Sequence, residues 1–178
     1  SADSKYWLWI NGELAVFEGN LKRGPNPKDS YYDVVDLASY LKKGSNDIKV
    51  LLYYFGKGGM SHYDTGKSAF ILDASQEGLQ TDCTWECRRL SAYGVSKDKE
   101  PNYRLPESII RYDARLAEAD VWKPAVELGE WGDAPWNKLH ERVIPMWKDY
   151  GVKEGRTKNC QRYSRDIQAV YLHGLPDS

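Results

Sequence analysis

The chain reads as an all-β protein, a β-sandwich or jelly roll with long loops, and three observations predict this. An Asn-Gly pair at 11–12 has apolar and aromatic residues on both sides, K-Y-W-L-W-I before it and E-L-A-V-F after it. Counting the two arms of that hairpin, the chain has about eight or nine short strand-like segments, with turn residues every 8–15 positions. No stretch has the 3.6-residue apolar period of a long amphipathic helix, so an α/β fold is not expected.

The elements follow in chain order. Asn-Gly is the preferred pair for a two-residue type I′ turn, because both residues tolerate positive φ and the turn twist matches that of the strands. Residues 5–18 are therefore expected to form a β-hairpin. Gly24, Pro25 and Pro27 make 20–30 a long loop. Residues 31–36 read as a strand and 37–41 as one helical turn, with Asp36 as its N-cap. The clearest buried strand is 47–55, D-I-K-V-L-L-Y-Y-F, β-branched and aromatic without breakers. A glycine-rich loop at 56–66 leads into a strand, not a helix, and lacks the Gly-Lys-Ser/Thr ending of a phosphate-binding loop. Further strands are expected at 68–74, 81–88, 109–115 and 121–128, with a polar loop at 91–105. A turn region carries Trp131, 136–142 reads as a short helical turn, and 143–147 as extended. The division expected is a β-sandwich domain over 1–151 and a tail over 152–178. The tail is basic up to Arg165, then has one apolar patch at 167–172 that reads as a final strand or as irregular chain.

Size and charge narrow the function. A chain of 178 residues suits one well-packed core. The net charge of −1 provides no field that would draw nucleic acid or an anionic membrane, so neither partner is expected. No apolar run approaches the roughly 20 residues of a membrane span. The chain starts Ser-Ala-Asp-Ser and enters a strand at once, without a signal peptide, as if cut from a longer protein. Cys83, Cys87 and Cys160 suggest no disulfide framework, and no histidine is spaced to complete a zinc site with them.

No catalytic motif stands out. There is no G-x-S-x-G and no H-E-x-x-H, and His62, His140 and His173 are scattered. Glu18, Asp64, Glu86, Glu107 and Glu141 suit solvated strand and loop positions, and a glycosidase pair is not recognisable from sequence. No residue is assigned a catalytic role. Binding is better motivated, because the chain has seven Trp and thirteen Tyr against three Phe. These two side chains pair an apolar face with a polar tip and suit stacking on ligands. The loops over 18–33 and 57–67 add charged and amide groups. The candidate carbohydrate contacts are Trp9, Arg23, Asn26, His62, Tyr63 and Asp64. Trp7 and Trp9 share one strand face, which is either a ligand face or the core, with Tyr6 and Leu8 outward in the second case. No cofactor is expected. Asn26, Asp29 and Asp33 offer oxygen ligands for a structural calcium ion, at a spacing unlike an EF-hand.

Several segments together resemble bacterial α-L-rhamnosidase-like glycoside hydrolases. These are A-D-S-K-Y-W-L-W-I-N-G-E, K-R-G-P-N-P, Y-Y-D-V-V-D-L-A-S-Y-L-K-K-G-S-N-D-I-K-V-L-L-Y-Y-F-G, R-L-P-E-S-I-I-R-Y-D-A-R and P-W-N-K-L-H-E-R-V-I-P-M-W-K-D-Y-G, spanning about 2–151. They are similar to an N-terminal, galactose-binding-like β-sandwich region of those enzymes. The resemblance implies hydrolysis of terminal α-L-rhamnose by inversion, with two carboxylates in a separate helical barrel. No series of long helices occurs here, so it implies a non-catalytic module that binds sugar or supports the barrel. The implied partners are an L-rhamnose-containing glycan and the catalytic domain, and the implied location is the periplasm or exterior of a bacterium. The family's strands ahead of A-D-S-x-Y are missing, which would expose strand edges and favour a dimer. The likeness ends after 149–151. The alternative to an enzyme module is a free-standing lectin-like carbohydrate-binding protein. A small enzyme in its own right would need two carboxylates facing each other across a cleft.

Overall fold

The computed structural model describes residues 1–20, 26, 28–56, 58, 63–95 and 110–153, together with the backbone of 157–162 and 168–172. The described structure is all-β. Its only helical pieces are two single 3₁₀ turns, Ser75–Glu77 and Ala114–Leu116. The chain divides into two compact units, Ser1–Trp147 and Lys148–Ser178.

The first unit is organised by β1 (Lys5–Ile10), β2 (Glu13–Gly19) and β4 (Ile48–Tyr53), an antiparallel sheet in the order β2-β1-β4. Asn11 and Gly12 form the hairpin turn with φ of 53° and 87°, as the turn chemistry requires. Asn11 also fastens the turn to its surroundings. Its amide donates to the Tyr40 carbonyl (2.8 Å) and to Asn46 Oδ1 (2.9 Å), and its own Oδ1 accepts from the Asp47 N–H (3.1 Å). At the other end of β2, a Cβ on Gly19 would collide with the Tyr6 ring, so glycine is the residue that fits there.

Period-two alternation sets the core. Tyr6, Leu8 and Ile10 are buried and lie opposite Leu52, Val50 and Ile48 of β4. Ala2 and Val16 complete this cluster, and Val35, Leu37, Tyr40, Leu41, Phe70 and Met146 pack against it. Trp7 and Trp9 fall on the opposite, half-buried face beside Leu51 and Lys49. This decides between the two readings of the strand: the tryptophans are not the core.

Around this sheet lie short pairings. β3 (Ser30–Tyr32) runs parallel to β11 (Leu139–Glu141), and β5 (Asp73–Ala74) pairs with β6 (Leu79–Gln80). β7 (Glu86–Cys87) pairs with β10 (Lys123–Pro124), and β8 (Tyr93–Val95) with β9 (Ile110–Tyr112). The chain start is tied in by a bridge from Ala2 to Phe70 and by the Asp3 N–H on the Ala69 carbonyl at 2.9 Å. In the second unit, β12 (Thr157–Arg162) and β13 (Gln168–Leu172) form an antiparallel pair, so the apolar patch near the end is a strand.

Several expectations are corrected. The segment 136–142 is not a helical turn, because Leu139–Glu141 takes the edge offered by β3. The segment 81–88 is strand only at Glu86–Cys87, because the Asp82 carboxylate accepts from the Thr84 amide and hydroxyl and turns the chain. Strand structure at 121–128 is limited to Lys123–Pro124, and at 68–74 to Asp73–Ala74. The segment 91–105 is not wholly loop, since Tyr93–Val95 pairs with Ile110–Tyr112.

Candidate functional site

The four described residues among the sequence-predicted binding set, Trp9, Asn26, Tyr63 and Asp64, do not form one cluster. Arg23 and His62 lie outside the described residues. Trp9 stands at the hairpin-turn end of β1, in register with Leu14 and Lys49. Asp64 lies beyond the other end of the sheet: its Oδ1 accepts from the Tyr54 hydroxyl (2.9 Å) and the Gly66 N–H (3.1 Å). Burial, and after it the Asp64 carboxylate, push the Tyr54 phenol above its ordinary value. Tyr63 is half exposed beside Asp64 in sequence. The Lys5–Tyr53 pair, where the chain leaves β4 toward this loop, lies four residues from Trp9 along β1, or roughly 13 Å at strand rise.

Asn26 belongs to another group. Its amide donates to Asp29 Oδ2 (2.8 Å), which also lies 2.9 Å from His140 Nε2. The Asn26 and His140 hydrogen bonds hold the Asp29 carboxyl below its ordinary value. The contact joins the loop before β3 to β11. Asp33, the third side chain of the calcium expectation, is turned elsewhere, so the three oxygens do not converge. Among the described residues, no group of three or more His, Cys, Asp or Glu is placed to hold a metal ion.

Asp33 is the centre of a buried polar knot. Its Oδ2 accepts from the Tyr6 hydroxyl (2.8 Å) and the Asn20 N–H (2.6 Å), and its Oδ1 lies 3.3 Å from Arg142 Nη1. The side chains are 0% and 3% exposed for Asp33 and Arg142. Arg142 also donates to the carbonyls of Asn20 (3.2 Å), Ile144 (3.1 Å) and Pro145 (3.3 Å). Burial first, then the Asp33 charge, push the Tyr6 phenol far above its usual range, so it stays a neutral donor. Every accessible role of this carboxylate is taken by the fold, and its chemistry is structural.

A shallow cleft on the described surface carries binding chemistry that sequence reasoning missed. Ser75, Gly78, Leu79, Gln80, Asp82, Thr84 and Trp85 line it. The Trp85 indole N–H donates to the Gln80 carbonyl at 2.9 Å, and its ring centroid lies 6.5 Å from that of Phe70. The available signal was Asp-Cys-Thr-Trp at 82–85, an Asp two residues before a Thr, which favours a side-chain-capped turn over a strand.

A second surface feature is the β8–β9 ribbon. Tyr93 faces Tyr112 and Val95 faces Ile110 in register, so all four side chains fall on one ribbon face. The two tyrosine rings are 5.0 Å apart. Each of the four is between 42% and 70% exposed.

Comparison with known proteins agrees with the fold. No family model matches the chain, and no curated protein matches it. Among solved structures, the chain is similar to the GH78 family rhamnosidase of Bacillus sp. GL1, at 24% identity and a TM-score of 0.54. The likeness covers 82% of this chain and 16% of that one. What it shows is the fold: this chain is built like one segment of a much longer rhamnosidase.

Proposed function

We propose that this chain is a non-catalytic all-β module of a larger glycoside hydrolase of the rhamnosidase type, and that it acts as a support for the catalytic part. The observation that carries the reading is the likeness to a rhamnosidase, which takes up only 16% of that enzyme's length. The uncovered face of the β8–β9 ribbon supports the same reading. A two-stranded ribbon is marginal on its own, and a contiguous apolar face in water marks a contact surface. Tyr93, Val95, Ile110 and Tyr112 are the residues proposed to meet the catalytic part. The carboxylates of Asp29, Asp33 and Asp64 are each engaged by local donors, which suits a scaffold. On this reading the protein works outside the cytoplasm, in the periplasm or beyond the cell.

The test compares the product of the complete reading frame with the 178-residue chain. The complete product should hydrolyse 4-nitrophenyl α-L-rhamnopyranoside, and the chain alone should not. In hydrogen exchange, amides of 93–95 and 110–112 should be more protected in the complete product. Hydrolysis by the chain alone, or a complete product with no greater activity than the chain, overturns the proposal.

A further inference from the structure

We propose that the cleft at Trp85 is a binding site for one ring of a neutral saccharide. The inference goes beyond the module reading and stands or falls without it.

The cleft combines a fixed aromatic ring with polar groups of known direction. Trp85 is half-buried, held by its indole N–H on the Gln80 carbonyl at 2.9 Å and by its backbone N–H on the Asp82 carbonyl at 3.2 Å. A ring immobilised in this way offers an apolar platform for the C–H face of a pyranose with little further loss of rotamer freedom. Asp82 stands beside it. Its Oδ1 accepts from the Thr84 N–H (2.8 Å) and hydroxyl (2.5 Å), and no described residue bonds its Oδ2. The Thr84 hydrogen bonds keep this carboxyl below its ordinary value, so it is ionised at neutral pH and accepts from hydroxyls. Ser75 and Gln80, which also line the cleft, carry neutral donors and acceptors, and the Thr84 hydroxyl, already donating to Asp82, can still accept.

The shape also fits. Gly78 lines the cleft with φ of 71°, and nothing lies within 4 Å of where a Cβ would stand. The cleft therefore has an open wall at that point. Its volume of about 380 Å³ is at the small end for ligand sites, which suits one ring and not an extended chain. The carboxylate selects by charge: it favours neutral sugars and repels a uronate at the same position.

The test uses the 178-residue chain labelled with ¹⁵N at its tryptophans. The probes are methyl α-L-rhamnopyranoside, methyl β-D-galactopyranoside and D-glucuronate. At least one neutral probe should shift the Trp85 indole N–H signal saturably, with a Kd of about 1–10 mM, in the weak range of single-ring recognition. Glucuronate should bind at least about threefold more weakly. Trp85→Ala, in which that signal is absent and binding is read instead by saturation-transfer NMR on the sugar, should remove the binding. Asp82→Asn, which preserves the side-chain shape, should bring glucuronate to parity with the neutral sugar, and this readout holds if the alanine variant does not fold. An unmoved Trp85 signal with both neutral probes overturns the proposal, as does unchanged affinity in folded Trp85→Ala. Because the readout is sugar binding, its failure leaves the module reading intact.

Discussion

Replacing Asp33 by Asn is the sharpest test of how this fold is held. The carboxylate has no exposed surface, and the guanidinium of Arg142 beside it has almost none. Asn keeps the size but removes the charge, leaving Arg142 buried without its counter-ion. It can also turn an amide N–H toward the Tyr6 hydroxyl and the Asn20 N–H, both of which donate to Asp33 Oδ2. Breaking one side of a buried pair costs about 3–5 kcal/mol. With an m-value of about 2 kcal/mol/M in urea, the unfolding midpoint should fall by about 1.5–2.5 M. The assay is urea unfolding followed by far-UV circular dichroism. Arg142→Met should cost at least as much, since three backbone carbonyls also lose their donor. The double variant should lose less than the sum of the single losses, by about 2 kcal/mol, because neither charge is then stranded. Lys49→Ala is the control: its pair with Asp47 lies in solvent and should be worth under about 1 kcal/mol. A loss below about 1 kcal/mol for Asp33→Asn, or no coupling in the double variant, would refute the reasoning and move the weight onto Arg142's carbonyl contacts.

Two further outcomes are expected. Gly12→Ala places a side chain at φ of 87° and should cost about 1–2 kcal/mol, lowering Tm by about 2–8 °C in a chain of this size; an unchanged Tm in a thermal melt would count against the I′ turn. The Asp29 carboxyl lies below its ordinary 3.8, so its contribution to joining β3 and β11 is complete above about pH 3.8 and is lost as the pH falls through the lower folded value. An NMR titration of the Asp29 carboxyl carbon should give a midpoint under 3.8, and a midpoint at or above it would contradict the Asn26 and His140 contacts.

Local chemistry made part of this protein legible in its sequence. The Asn11–Gly12 turn follows from which residues tolerate positive φ, and the 47–55 strand follows from an unbroken β-branched and aromatic run. Both depend on neighbours a few positions away, and both stand in the structure. The likeness to a rhamnosidase segment was legible for a related reason, since the motifs that carried it are runs of consecutive residues.

The tertiary structure decided what depends on distant partners. Period two places Tyr6, Leu8 and Ile10 on one face and Trp7 and Trp9 on the other, but only the packing of Val35, Leu41, Phe70 and Met146 determined which face is inside. Residues 139–141 became a strand because β3, more than a hundred positions earlier, offered a parallel edge. Asp33 reads as an oxygen ligand for calcium until Tyr6, Asn20 and Arg142 close around it. The Trp85 cleft likewise forms where the turn at 82–85 meets the β5–β6 pair. A sequence displays turn and alternation preferences directly, because these are properties of adjacent residues. Burial and polar satisfaction arise only when distant segments exclude water together, and the site chemistry of this chain is of that second kind.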